Sequence, residues 1–262
     1  MALLSDSKEF AATWLANRWL CWGAGGGLAV LLGTVVPMCL LELAIAKKWF
    51  PKESMVEYST DGTRSREELI ERTQRKVPFK QQLLRTIWTL GPVAWMNVLA
   101  MSVLMPKIVR KPTAPGIAPL VAMYVLADLG LYWFHRVQHE VEFLWRFHQL
   151  HHELETPTPV GTSYIDPVDA TLQVGLPLVL SSAVVQPHPL VFYATVALRT
   201  MENVMNHSGV DDPILNLITL KCLPLRASPR HHDRHHKYCN HLKARNYGEG
   251  FWIWDWIFGT LT

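Results

Sequence analysis

Three short stretches place histidine at spacings that chemistry can use. HRVQH sets His135 and His139 four residues apart, HQLHH groups His148, His151 and His152, and HDRHH repeats that pattern at His232, His235 and His236. On a helix, positions three and four apart share a face, so each stretch presents two or three imidazoles in one direction. Neutral imidazole is a ligand for iron, copper, zinc and nickel. Eight such side chains exceed what one ion takes, and two metal ions a few ångströms apart match the count. A single HxxxH is an ordinary polar pair at a surface, but packing has no use for three. RHHDRHH (230–236) holds a fourth imidazole, His231. It sits about 100° around a helix from His232, so it is expected beside the ligands rather than among them. Asp233 and the arginines are expected to solvate the outer face of this box.

The elements that position these residues are apolar and long. The chain has 262 residues, 49% hydrophobic and only 18% charged, with a formal net charge of +3. That charge is too small for a nucleic-acid partner. Uncharged runs extend over Leu20–Leu41 and Thr86–Pro106; Pro112–Phe134 is broken only by Asp128, and Ala170–Leu198 contains His188. Runs of this length cross about 30 Å of hydrocarbon, so the expected fold is all-α, a multi-span membrane helical bundle. The histidine boxes would form a cytosolic cap holding a dinuclear metal site. The division expected is an N-terminal transmembrane region, 1–114, followed by a catalytic domain, 115–262.

Finer features follow from the same runs. GAGGG (23–27) gives Gly23 and Gly27 small-xxx-small spacing, which predicts close helix packing, and Pro37 predicts a bend. The stretch from Lys47 to Arg85 carries ten Lys/Arg against six acids, which places it in the cytosol. Within it, Ser65 and Glu68 form a capping box for a helix. The loop PKIVRKPTAPG is basic too, in conflict with simple alternation; its short length and the position of the boxes resolve this in favour of a cytosolic site. QPHP (186–189) breaks the fourth run, which is too short for two full crossings of about 20 residues each, so a hairpin that dips in and returns is expected, with His188 structural at its turn. The out-and-back path returns the third box to the face of the first two. The N-terminus has no basic n-region, so no cleaved signal is expected. Cys21, Cys39, Cys222 and Cys239 make no CxxC pair and are read as reduced thiols, with Cys239 outside the ligand set and His241 ambiguous. Asp128, ionisable inside a span and two turns before His135, is expected to accept the free N–H of a ligand imidazole. Asp255 could hold another imidazole in the same way, and with Trp254 and Trp256 is expected to dock the C-terminal tail.

The three boxes following transmembrane runs resemble the fatty acid hydroxylase/sterol desaturase superfamily. DLGLYWFHRVQH (128–139) is similar to its first box, NYGEGFWIWDWIFGT (246–260) to its closing signature, and ALRTMENVMNHSGVDDP (197–213) to a stretch of its C4-methylsterol oxidase branch. The resemblance covers residue 115 or so to the C-terminus. It implies a membrane di-iron oxygenase: two Fe ions and O2, with electrons from NAD(P)H delivered through cytochrome b5 and its reductase, oxidising an unactivated C–H bond of a sterol-like lipid drawn from the bilayer. Fatty acid or sphingolipid hydroxylase, sterol C5-desaturase and sterol side-chain hydroxylase are alternatives, and a non-catalytic membrane metal-binding protein is an alternative of another class. His207 is implied as a ninth ligand. Asn203 stands where fatty acid 2-hydroxylases carry a further histidine, which argues against that activity; with Asp128, His231 and Asp255 it is expected just behind the ligands. The superfamily also implies an endoplasmic reticulum location with the site facing the cytosol. There, the NHS sequon at 206–208 would be accidental.

Overall fold

The computed structural model describes residues 25–56, 65–237 and 244–262. Cys21, Gly23, Cys239 and His241 lie outside them. The architecture is helical, with no β-strand among the described residues beyond two isolated bridges. The helices in chain order are α1 (Gly25–Ala46), α2 (Arg66–Lys76), α3 (Phe79–Ile108), α4 (Ile117–Glu140), α5 (Glu142–His152), α6 (Pro167–Val185), α7 (Pro189–His207), α8 (Pro213–Ile218), α9 (Pro229–Lys237) and α10 (Ile253–Ile257). Among the described residues, α1, α3, α4 and α6 are long and apolar enough to cross a membrane. Their outer faces expose large apolar side chains such as Leu40, Trp95, Met96, Leu99 and Val184, which belong in hydrocarbon. These features make the chain an integral membrane protein.

Proline shapes three of these spans in one way. Proline has no N–H to donate, and its ring crowds the carbonyl four residues back. The helix widens locally into a π turn to accommodate it. Such turns occupy Leu31–Val35 before Pro37, Thr89–Val93 around Pro92, and Thr171–Gly175 before Pro177. The expected bend at Pro37 is thus a widened turn one step upstream.

The apolar core between spans joins α4, α6 and α7, where Met123, Ala127, Leu178, Val191 and Phe192 pack together. The close packing expected from the glycine run is present at Gly25 and Gly26, where a Cβ would lie 2.6 Å from the Tyr193 ring of α7 and 2.9 Å from Val98 of α3. A Cβ on Gly27 would meet only Trp95, at an ordinary 3.6 Å, whereas one on Gly33 would lie 2.5 Å from the Ala197 carbonyl oxygen. Gly33 is therefore where α1 lies against the backbone of α7.

The hairpin is longer than the apolar run suggested. Its arms are 19 residues each, or about 28 Å at 1.5 Å per residue. They are joined at Gln186, whose backbone is left-handed (φ 53°). His188 caps the second arm, its Nδ1 accepting the Leu190 N–H. The second arm continues past Leu198 because its charged residues are neutralised internally. Arg199 bonds Asp128 of α4 at 2.6 Å and Glu202 at 2.8 Å, and Glu202 also meets Lys221, Arg226 and the Tyr124 hydroxyl. Buried charges persist only when paired in this manner. Polar residues that water would otherwise claim thereby extend the helix to His207.

Candidate metal centre

Each histidine box sits where a helix ends. His135 and His139 occupy the last turns of α4, and His148, His151 and His152 those of α5; His207 closes α7, and His232, His235 and His236 face inward from α9. All nine are buried. They fall into two groups: His135, His139, His148, His152 and His235 in one, and His151, His207, His232 and His236 in the other. Within each, one ring nitrogen per residue lies within 4.8 Å of all the others.

The partition follows helix geometry. His148 and His152, four apart, point to the first group, while His151, about 100° around α5 from His152, points to the second. On α9 the arrangement is exchanged: His232 and His236 face the second group and His235 the first. Each HxxHH box therefore supplies both groups.

The imidazoles are held from behind with their Nε2 atoms inward. The Nδ1–H of His135, His207, His235 and His236 donates to the carbonyls of Tyr247 (3.0 Å), Asn203 (2.7 Å), Arg245 (2.7 Å) and Leu154 (3.1 Å). His148 Nδ1 donates to the Asp169 carboxylate at 3.0 Å, and Gln138 donates to the other oxygen of Asp169. With the proton committed to Nδ1, the Nε2 of each of these five carries a bare lone pair, whereas the Nδ1 atoms of His151, His152 and His232 have no hydrogen-bond partner among the described residues.

The Nε2 atoms lie close together. His148 and His152 Nε2 are 3.0 Å apart, and His152 and His235 3.1 Å. In the second group, His151–His207, His207–His232 and His232–His236 are 2.9, 3.1 and 3.1 Å. Each of these pairs joins a ring whose Nδ1 is held to one whose Nδ1 has no partner among the described residues, so either a neutral Nε2–H or a shared cation accounts for the contact. About 3 Å is also the edge of a coordination shell with bonds near 2.1 Å. The charged imidazolium form is disfavoured, because burial and the neighbouring imidazoles hold His151, His152, His232 and His236 well below the ordinary histidine range, and burial takes His235 down to about 3. Both ring nitrogens of His139 are buried with no hydrogen-bond partner among the described residues. The donor set, all neutral imidazole, suits a borderline transition metal.

Of the residues expected just behind the ligands, Asp128, Asp255 and His231 act at one further remove. Asp128 touches no imidazole among the described residues. Seven residues of helix put it on the face of His135 but about 10 Å along the axis, too far to reach the ring. It accepts instead from the Gly250 and Phe251 N–H groups (2.9 and 3.1 Å) and from the Trp254 indole (2.8 Å), besides its pairing with Arg199. Asp255 accepts from the Tyr247 and Gly248 N–H groups at 2.8 Å and from His231 at 2.9 Å. It holds an imidazole, but one that belongs to neither group. Both aspartates therefore fix the segment 244–252, whose carbonyls in turn hold His135 and His235. Asn203 supports His207 through its backbone carbonyl.

Two further readings change, and the sequon is accidental as expected. Asp233 is buried, not solvating the box, and pairs with Arg66 at 2.9 Å, which docks α2 onto α9. The Arg66 guanidinium also fills the space beside Gly209, whose φ of +65° favours glycine. Trp256 does not dock the tail: it is 64% exposed, while Trp254 carries the contact to Asp128. Asn206 of the NHS sequon is buried, donating to the Glu249 carbonyl and accepting from Lys221, so no glycan fits there. Sequence reasoning missed Asp169 and Gln138. Asp169 borders the apolar run that begins at Ala170, and a carboxylate at that edge was the available signal.

An apolar cavity lies between the spans. It holds about 980 Å³ of empty space including its mouth, and is walled by α1, α3, α6 and α7. Asn203, one helical turn before His207, forms part of its wall.

A family model for fatty acid hydroxylase matches residues 120–260. The chain belongs to that family. Similar proteins include Very-long-chain aldehyde decarbonylase GL1-8 of Oryza sativa subsp. indica, 32% identical over 144 residues, which are 55% of this chain and 52% of the relative. Methylsterol monooxygenase 2-2 of Arabidopsis thaliana is 31% identical over 145 residues, covering 55% and 52%. Methylsterol monooxygenase 1 of Rattus norvegicus is 33% identical over 136 residues, covering 52% and 44%. The chain thus matches about half the length of these relatives. No solved structure matches.

Proposed function

We propose that this fatty acid hydroxylase family member is a membrane oxygenase that binds two iron ions and oxidises a C–H bond of a sterol or related lipid. The observation that carries the reading is the two groups of buried, neutral imidazoles, 2.9–3.1 Å apart at their closest nitrogens, together with an apolar cavity between spans. His135, His139, His148, His152 and His235 would hold one ion, and His151, His207, His232 and His236 the other. Bound iron supplies O2 reduction and C–H oxidation, chemistry that side chains alone lack.

The chain's own part is binding, orientation and exclusion of water. Asp169 and the four backbone carbonyls fix the tautomers of His148, His135, His207, His235 and His236 and aim their Nε2 atoms, as supporting contacts do at metal sites. Asp128 and Asp255 hold the loop that provides two of those carbonyls. Residues 115–262 supply every proposed ligand, while residues 1–114 contribute α1 and α3 to the cavity wall. A lipid would enter from the bilayer along that wall, with its apolar body leaving little room for water. Electrons would come from NAD(P)H through cytochrome b5 and its reductase, at an endoplasmic reticulum membrane with the histidine cap in the cytosol. The basic stretch around α2 agrees with that side.

Resemblance to methylsterol monooxygenases favours a C4-methyl sterol as substrate. The similarity to an aldehyde decarbonylase supports a second reading, in which a long-chain aldehyde occupies the same cavity. Lipid profiling of cells lacking the chain separates them. Accumulated 4-methyl sterols support the first. An unchanged sterol profile with altered aldehydes, fatty acids or sphingolipids overturns it.

A further inference from the structure

Three buried polar atoms have no partner among the described residues and belong to residues lining the same cavity: Thr89 Oγ1, Thr162 Oγ1 and Asn203 Oδ1. Thr89 and Thr162 are 6% and 5% exposed. Unsatisfied polar atoms in an apolar wall are costly and uncommon. Other hydroxyls in these helices avoid the cost by bonding to a carbonyl: Thr195 and Thr200 bond one turn back, and Thr86 bonds the Val160 carbonyl at 2.8 Å. These three atoms do neither.

The elements that carry them meet around one apolar cluster. Leu90, next to Thr89, packs against the buried cluster that includes Val160, two residues before Thr162, and Val204, next to Asn203. The π turn of α3, the turn Val160–Ser163 and the end of α7 therefore converge there. The same end of α7 adjoins the second imidazole group, because the Asn203 carbonyl bonds His207 at 2.7 Å.

The types of atom define what completes them. An amide oxygen only accepts, so its partner must be a donor. A threonine hydroxyl can donate to that partner's oxygen or accept its proton. A hydroxyl group on an otherwise apolar molecule satisfies both demands, whereas a hydrocarbon satisfies neither and a carbonyl leaves Asn203 unpaired. We propose that Thr89, Thr162 and Asn203 recognise a hydroxyl group of the lipid substrate and are specificity-determining residues that seat the hydroxyl-bearing carbon beside the His207 group. This deepens the proposed function and rests on it for the occupant being a lipid.

The test is a binding measurement on the full chain in lipid nanodiscs. Labelled cholestanol and labelled octadecanol are bound to saturation and competed with their unlabelled alcohols or with cholestane and octadecane. For at least one pair, the alcohol is expected to compete at a concentration at least about fivefold lower than its hydrocarbon. The shape-preserving replacements Asn203→Leu and Thr162→Val are each expected to shrink that ratio to within about twofold, with metal content and thermal midpoint unchanged. A ratio in the sterol pair alone or the acyclic pair alone assigns the hydroxyl to that class. Equal competition in both pairs overturns the proposal, as does failure of both alcohols to bind, or a ratio that survives both replacements. Binding is read without turnover, so selective binding by a chain that holds no iron overturns the oxygenase reading alone.

Discussion

The His148 imidazole and the Asp169 carboxylate are joined by a 3.0 Å hydrogen bond between two almost wholly buried side chains. The pair links the end of α5 to the start of α6 and commits the His148 proton to Nδ1. Asp169→Ala leaves that ring without its orienting partner. Metal affinity is expected to fall roughly 10- to 100-fold, read as metal retained against a graded chelator. Retention equal to that of the parent chain would remove Asp169 from the supporting shell.

The exchanged partition of the two HxxHH boxes predicts an asymmetric loss. His207 belongs to the four-membered group alone. His207→Ala is expected to lower bound metal from two ions to about one per chain, measured by elemental analysis on folded protein. Loss of both ions, or of neither, would contradict the division into groups.

The buried pair Asp128–Arg199 fixes the loop behind His135 and His235. Asp128→Ala leaves the Arg199 guanidinium facing Glu202 alone and frees the Gly250, Phe251 and Trp254 donors. Removing one partner of a buried pair costs about 3–5 kcal/mol. The expected result is a lower thermal midpoint together with increased amide exchange across 244–252. A midpoint within one degree or so of the parent would place the anchoring of this loop elsewhere.

Glu249 gives the chain a pH dependence of known sign. Burial pushes its carboxyl up to about 7, and one carboxylate oxygen has no partner among the described residues. An unfolded glutamate titrates near 4.3. Between those values the folded state holds the extra proton, so this group's contribution declines as pH rises and levels off above 7. Glu249→Gln removes that decline. It is expected to stabilise the chain at pH 8 by up to about 3 kcal/mol and by far less at pH 5, read from denaturation midpoints at the two pH values. Equal effects at both would show that the carboxyl does not titrate as described.

The histidine boxes were legible because helical spacing is local: the three- and four-residue intervals alone set which rings share a face. The division into two groups was not: the angle of about 100° between adjacent residues on a helix separates His151 from His152 and His235 from His236, but which rings of the other helices each one joins is set only once α5 and α9 are packed together. Asp128 was placed on the correct face but at the wrong height, since spacing in a helix gives direction and leaves reach to the 1.5 Å rise per residue. Asp169 lies 21 residues from His148, with no periodicity linking them. The hairpin read short because Arg199 and Glu202 look like a helix exit until their partners Asp128, Lys221 and Arg226 come together around them. Ser65, by contrast, caps α2 through the Glu68 N–H, with the Glu68 side chain returning to the Ser65 N–H. Every participant in that box lies within four residues.

The central claim is that nine imidazoles hold two iron ions in one chain. X-ray absorption at the iron edge, with elemental analysis on the same purified full chain, tests it most directly. The account predicts about two irons per chain, each surrounded by nitrogen scatterers near 2.1 Å with the outer-shell pattern of imidazole rings. Fewer than two ions per fully loaded chain, or a first shell dominated by sulfur or carboxylate oxygen, would contradict it.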